Sequence, residues 1–154
     1  MKYDLKMYDE LERGLSIDRD DLDTELIRQA NQFFHASEGA AYAESIKDKE
    51  KFFVEKVYAE LDNDIRDTMT SDGERVTEDK VKQQINREQD YQAAFQSLLK
   101  AGLDHKRWEA LKNAYRMRGE MLKGLVSLHN SNYFGEVTGA GERRDSRERL
   151  RSRL

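Results

Sequence analysis

The chain of 154 residues contains no proline. A proline inside an α-helix costs roughly 3 kcal/mol, so its absence over this length permits helices much longer than average. The same absence argues against a loop-rich β fold, because such folds place proline at many of their turns. The sequence therefore predicts an all-α protein built from long helices.

Cysteine is also absent, which excludes disulfides, thiolate nucleophiles and thiolate metal sites. This composition suits a reducing compartment, and the first residues lack the apolar run of a signal peptide. No stretch of the sequence approaches the roughly 20 apolar residues that a membrane span requires. We therefore predict a cytoplasmic protein that does not interact with membranes.

Apolar side chains are too few for a thick interior, since hydrophobic residues make up 37% of the chain and charged residues 38%. Such a composition lines apolar stripes but does not cover every helix on several sides. The fold that we predict is a long antiparallel helical hairpin, similar to a coiled coil, in a single domain over residues 1–134. Its remaining apolar surface would be buried by assembly into a homo-oligomer.

Helical periodicity divides this domain into three segments. A short amphipathic helix is predicted within residues 1–15, a long helix from about 20 to 68, and a second long helix from about 77 to 132. Asp72 and Gly73 mark the turn between the two long helices. Gly102 either interrupts the second long helix or is tolerated within it, at a cost of about 1 kcal/mol.

Apolar residues at alternating steps of three and four predict a seam between packed helices. We assign this seam to contacts between subunits. Its predicted members are Phe33, Phe53, Val57, Leu61, Trp108, Leu111, Tyr115, Leu122 and Leu125.

The periodicity stops at Gly135, and residues 135–154 form a tail rich in glycine and arginine. We predict that this tail is disordered or conditionally ordered. Arg143, Arg144 and Arg147 are candidate contacts to phosphates or to an acidic protein surface. The alternative is a solubilising terminus or an extension of the preceding helix.

Catalytic and metal-binding patterns are weak. The three histidines are widely separated, and no metal-binding histidine pair, nucleophile elbow or phosphate-binding glycine loop is present. His35 and Glu38 form at most a two-ligand pair, and the alternative is an ordinary histidine. We predict a protein that is not an enzyme and that needs no cofactor.

Basic residues on the two long helices are candidate contacts to nucleic acid, because phosphate neutralisation requires cations along one face. The second long helix carries a predicted basic stripe, and the first carries a lysine cluster interleaved with acidic residues. The alternative for both is a solvated helix face with ion pairs between successive turns. The candidates are Lys47, Lys51 and Lys56 in the first helix and Lys106, Arg107, Lys112, Arg116 and Lys123 in the second.

The order of several short patterns resembles that of the phage recombination mediators of the UvsY type, over roughly residues 17–130. The patterns are Ile17-Asp18-x-x-x-Leu22-x-x-Glu25, the pair Phe33-Phe34, Ile46-Lys47-x-x-x-Lys51, Leu61-Asp62 before a polar glycine turn, and Arg118-x-x-x-Leu122. That family carries basic residues just before the Leu-Asp pattern, where this chain has Lys56 but also Glu60.

This resemblance implies a helical protein that assembles into a ring-like homo-oligomer and binds single-stranded DNA through basic residues. It further implies help in loading a RecA-like recombinase onto DNA covered by single-strand-binding protein, without a catalytic step. The alternative is a structural or adaptor protein, of a phage assembly or scaffold type, that binds protein partners.

Overall fold

The structure is a computed structural model and describes residues 5–131. It consists of α1 (Leu5–Arg13), α2 (Leu22–Ser71), α3 (Glu78–Ile85) and α4 (Gln89–Asn130). The described residues contain no β-strand, and α2 and α4 pack against each other along their length. These observations confirm the all-α prediction and the pairing of two long helices. The arginine-rich tail lies outside the described residues.

The two long helices run antiparallel, as contacts near the two ends of the hairpin establish. Near the start of α2, Gln29 donates a 2.6 Å hydrogen bond to the carbonyl of Tyr115 in α4. Toward the end of α2, the rings of Tyr58 and Tyr91 lie 6.0 Å apart. A residue near the start of α2 is therefore level with the second half of α4.

Two apolar clusters hold the hairpin together, one nearer each end. The first joins Leu11 of α1 to the middle of the hairpin, and the second joins α3 to the end of α2. Burial of such side chains stabilises the fold by about 1.5–3 kcal/mol each for the larger ones. The first cluster contains Leu11, Ala36, Ala40, Ala43, Trp108, Leu111 and Tyr115, and the second contains Ile65, Met69, Val81 and Ile85.

Gly39 brings the two long helices close together, because a Cβ atom at this position would overlap the ring of Trp108. Gly39 does not interrupt α2, which is one continuous helix from Leu22 to Ser71. The glycine thus serves packing between helices. Gly73, after the end of α2, has a φ of 69° and forms the turn that the Asp-Gly pair predicts.

The predicted second long helix over residues 77–132 is two helices, separated at residues 86–88. Gly102 lies inside α4 and does not interrupt it. At 100° per residue, Val81 and Ile85 in one continuous helix would point about 140° away from the face that contacts α2. The break allows α3 to rotate, so that Val81 and Ile85 pack against Ile65 and Met69.

Arg118 is the buried charge of the hairpin, with only 3% of its surface exposed. Its guanidinium forms an ion pair with Glu25 of α2 and donates to Oε1 of Gln29 at 2.6 Å. It also donates to the carbonyls of Leu15 and Ser16, at 3.2 and 3.3 Å. These contacts fix the segment between α1 and α2 against α4.

None of the helices in the described part of the chain combines the length and the apolar character that crossing a membrane requires.

Candidate nucleic-acid interface

Two adjacent phenylalanines of α2 project into solvent, with 69% of Phe52 and 49% of Phe53 exposed. Exposed aromatic rings of this size are unusual because burying them would stabilise the fold. The core-facing side of α2 is filled at this level by Val57, which is buried, and by Val54, which is half-buried. The two phenylalanine rings therefore remain outside the intramolecular core.

Lys49 and Lys56 flank these two rings. Residues three and four apart are neighbours on a helix surface, and each lysine has this spacing from both Phe52 and Phe53. Both lysines are exposed, one helical turn before and one turn after the rings. We name these four residues the Lys/Phe face: a flat apolar surface with a cation at either end.

The charged side chains of the Lys/Phe face favour binding of anions. Lys56 has an exposed ion pair with Glu60 at 3.6 Å, which is long and worth little. Lys49 has no ion pair within residues 5–131. The interleaved acidic residues Asp48 and Glu55 lie about 90–110° around the helix from the centre of the face.

Lys47 and Lys51, which the sequence grouped with Lys56, lie on another side of α2. At 100° per residue they are displaced from the Lys/Phe face by more than a quarter of a turn. Lys47 is half-buried and Lys51 is exposed. The sequence prediction omitted Phe52, although the spacing of lysines at three and four residues around it was a usable signal.

The basic stripe predicted on the second long helix lies on one side of α4. Lys112, Arg116 and Lys123 fall within about 40° of each other on the helix surface. Lys112 pairs with Glu109 and Lys123 with Glu120, both at 2.9 Å, so two of the three charges have acidic neighbours. Arg116 is exposed, and within the described residues it has no ion pair.

Lys106 and Arg107 do not belong to this stripe, since they lie about 80° or more around α4 from it. Arg107 pairs with Asp104 at 3.5 Å. Its charge also acts on Tyr8, whose pKa is raised by burial and by the nearby Glu12 and Asp9 and lowered by Arg107.

The hairpin separates the two basic regions. Because Tyr58 is close to Tyr91 and Gln29 to Tyr115, the Lys/Phe face is level with the early part of α4. Arg116 is roughly 30 Å further along α4 at 1.5 Å per residue. A single short ligand does not contact both regions of one chain. Arg143, Arg144 and Arg147 lie outside the described residues.

Most of the predicted seam between subunits lies inside one chain. Val57, Trp108, Leu111, Tyr115 and Leu122 are buried in the monomer, where α2 and α4 already cover one another. These five residues thus contribute to packing within one chain, and their assignment to a contact between subunits stays a prediction. The 3,4 spacing that suggested the seam is the same for contacts within and between chains.

The other four predicted seam residues are less covered. Leu61 packs on the second cluster, and Leu125 lines an open apolar groove beside α4. Phe33 and Phe53 are exposed.

His35 is half-buried and stacks edge-on against Phe34, with 5.7 Å between the ring centroids. Its Nδ1 is buried without a hydrogen-bond partner in the described structure. The described residues contain no group of three or more side chains that could hold a metal ion.

The described residues thus define a helical-hairpin protein with an exposed Lys/Phe face. Comparisons with models of protein families, with curated proteins and with solved structures found no match.

Proposed function

We propose that the chain is a non-catalytic protein that binds single-stranded DNA. The Lys/Phe face is the observation that carries this proposal. Proteins that bind single strands without sequence preference combine cations for the phosphates with aromatic rings on which bases stack. Phe52 and Phe53 supply the rings, and Lys49 and Lys56 supply the cations. Duplex DNA keeps its bases stacked on each other and offers these rings no partner.

The resemblance to the UvsY type extends the proposal to a recombination mediator. In this role a homo-oligomer of the chain holds single-stranded DNA and helps to load a RecA-like recombinase in the presence of single-strand-binding protein. Several weak sites on one assembly raise the apparent affinity without a strong individual site. The arginines of the tail, Arg143, Arg144 and Arg147, would add phosphate contacts.

The test is fluorescence anisotropy of a labelled oligonucleotide, first single-stranded and then duplex, at two salt concentrations. Base stacking on an aromatic ring is worth about 1–3 kcal/mol per base, so a Phe52→Ala, Phe53→Ala double variant is expected to bind at least about tenfold more weakly. Phe95→Ala is the matched control, because Phe95 is also exposed but has no lysine three or four residues away.

The lysines are tested through the salt dependence of binding. Removing Lys49 and Lys56 is expected to reduce the slope of log affinity against log salt by about 1.4, because each phosphate contact on a single strand contributes about 0.7. A Lys112→Ala, Arg116→Ala, Lys123→Ala variant tests the α4 stripe separately. Wild-type protein that fails to bind even at low salt would contradict the proposal.

An adaptor that binds protein partners is the second candidate function, and a specific observation favours it. Met117 and Met121 of α4 are more than half exposed. Methionine side chains adapt to varied apolar contacts, so an exposed methionine pair is typical of a surface that binds protein partners. An apolar contact of this kind responds little to salt, whereas phosphate binding weakens steeply. The salt titration therefore separates the two functions.

A further inference from the structure

Each long helix of the hairpin carries a second apolar stripe on the side that faces away from the other helix. On α2 this outer α2 stripe contains Ile27, 79% exposed, and Phe34, 55% exposed. The two residues are seven positions apart, which places them on one side of the helix about 10.5 Å from each other. Neither contributes to the two apolar clusters of the monomer.

The outer α4 stripe contains Met117 and Met121, 64% and 62% exposed, and Leu128. Smaller residues lie beside them, Ala114 one turn before Met117 and Gly124 between Met121 and Leu128, so the surface is hollow. An apolar groove of about 660 Å³ runs along this stripe and is closed on one side by Leu15 and Ile17, in the segment between α1 and α2. The α2 stripe thus projects, and the α4 stripe is recessed.

The two stripes lie at the same end of the hairpin but on opposite sides of it. Gln29, within the span of the α2 stripe, is level with Tyr115 of α4, two residues before Met117 of the α4 stripe. The α2 stripe lies about 170° around its helix from the core-facing side, and the α4 stripe lies about 100–140° around its helix from the core-facing side. One chain therefore cannot close its own α2 stripe onto its own α4 stripe.

The charges next to the two stripes are complementary. Acidic residues lie about one helical turn beyond each end of the outer α2 stripe: Asp23 before Ile27 and Glu38 after Phe34. The charged residues that line the groove are Arg19 and Arg118, both basic, and Arg118 is already paired with Glu25. Opposite charges favour contact between the α2 stripe of one chain and the groove of another.

We infer that the outer α2 stripe of one chain binds in the groove of the outer α4 stripe of a second copy. Because the two contacting surfaces differ, the contact is heterologous: each chain uses one stripe toward each of two neighbours. Such a contact produces a closed ring or an open filament, and a two-fold dimer does not form. This inference names the contact that forms the homo-oligomer of the proposed function, and it does not depend on DNA binding.

The Lys/Phe face lies outside this contact between chains. Phe52 is about 27 Å along α2 from Phe34 at 1.5 Å per residue. Packed helices that cross at about 20° diverge by about 9 Å over this length.

The experiment measures the mass of the particles in solution by sedimentation velocity for wild type, Ile27→Asp and Met117→Asp. Each variant places a charge in one stripe, at a position so exposed that the monomer fold is unaffected, which circular dichroism checks. We expect assembly of the wild type and a monomer for each variant alone. Ile27→Leu and Met117→Leu are the matched controls and should assemble, because both keep the stripes apolar.

Mixing the two variants gives the decisive result. Ile27→Asp keeps an intact α4 stripe and Met117→Asp keeps an intact α2 stripe, so an equimolar mixture can form one contact and is expected to stop at a 1:1 dimer. Three results would overturn the inference: a monomeric wild type, two variants that assemble normally, or dissociation by only one of them, which indicates a symmetric contact or another occupant of the groove. DNA binding by monomers would still be measurable, so the two proposals fail separately.

Discussion

Arg118 donates to four acceptors that belong to two parts of the chain. Glu25 and Gln29 lie on α2, and the carbonyls of Leu15 and Ser16 lie on the segment that leads into it. Burying a guanidinium is costly unless it is paired and hydrogen-bonded. The planar fork of arginine reaches several acceptors in fixed directions, which the single ammonium of lysine does not.

We therefore predict that Arg118→Lys lowers the free energy of unfolding by about 3 kcal/mol, although it preserves the charge. The measurement is urea denaturation followed by circular dichroism. Arg116→Lys is the matched control, because Arg116 lies on the same helix and is exposed, and its effect should stay within about 0.5 kcal/mol. Equal stability of the two variants would contradict the structural role of Arg118.

The sequence indicated Arg118 only in part. An arginine within a 3,4 series of apolar residues was visible, and Glu25 and Arg118 each stand in a short pattern of the sequence, Ile17-Asp18-x-x-x-Leu22-x-x-Glu25 and Arg118-x-x-x-Leu122. The pairing itself depends on the register of α2 against α4. Because helices of this length pack in several registers with similar apolar contact, the pattern of one chain does not determine that register.

One buried hydroxyl adds to the apolar contacts that hold the short helix α1 on the hairpin. Tyr115 is fully buried, and its hydroxyl donates a 2.7 Å hydrogen bond to the carbonyl of Leu11. That carbonyl lies in the last turn of α1, where the helix supplies no partner of its own. Tyr8 adds an edge-to-face contact with Trp108, at 5.3 Å between ring centroids.

Burial raises the pKa of Tyr115 above its usual value near 10; the nearby Arg118 lowers the pKa and Glu25 raises it. A phenol with a raised native-state pKa binds its proton more tightly in the folded chain than in the unfolded chain. Its contribution to stability is therefore complete below about pH 10 and is lost as the pH rises through the native-state pKa.

We predict that Tyr115→Phe lowers the free energy of unfolding at pH 7 by about 1–3 kcal/mol, because it leaves the Leu11 carbonyl unsatisfied. The same variant should lose less stability than wild type between pH 9 and 11, since this titrating group is gone. Urea denaturation across that pH range measures both effects. Tyr91→Phe, at the other end of the hairpin, serves as the control; a parallel pH profile for Tyr115→Phe and wild type would contradict the prediction.

At the scale of elements, the periodicity of apolar residues predicted most of the helices, but it did not predict the break before α4. The turn at Asp72 and Gly73 carries its own chemistry, because glycine accepts the positive φ found there. The residues between α3 and α4 include neither proline nor glycine. A usable signal was present, because the helical phase of Val81 and Ile85 differs from that of the apolar residues in α4. No turn residue marks the position of this break.

For the whole molecule, the sequence predicted two apolar surfaces but did not distinguish them. Trp108 and Tyr115 form the interior of the hairpin, whereas Met117 and Met121 lie on its outer side. Both sets have helical spacing, and only the position of α2 decides which set is covered. The Lys/Phe face was missed for a related reason, since a phenylalanine in a helical pattern is expected in the core.

DNA binding by the Lys/Phe face and assembly through the outer stripes have a joint consequence: assembly is expected to strengthen DNA binding. A short oligonucleotide of about 8 nucleotides occupies one Lys/Phe face, whereas one of about 60 nucleotides reaches several faces on one assembly. Linking sites in this way raises apparent affinity by about 10²–10⁴ without a new contact. Assembly should therefore matter only for the longer strand.

We predict that Ile27→Asp, which disrupts the outer α2 stripe, weakens binding of the long strand by at least about a hundredfold and leaves binding of the short strand unchanged. The measurement is fluorescence anisotropy at one low salt concentration, with Ile27→Leu as the matched control. A variant that lost affinity equally for both strands would show that Ile27 contacts DNA directly. A variant that lost affinity for neither would show that DNA binding is independent of assembly, because the Lys/Phe face would then act alone.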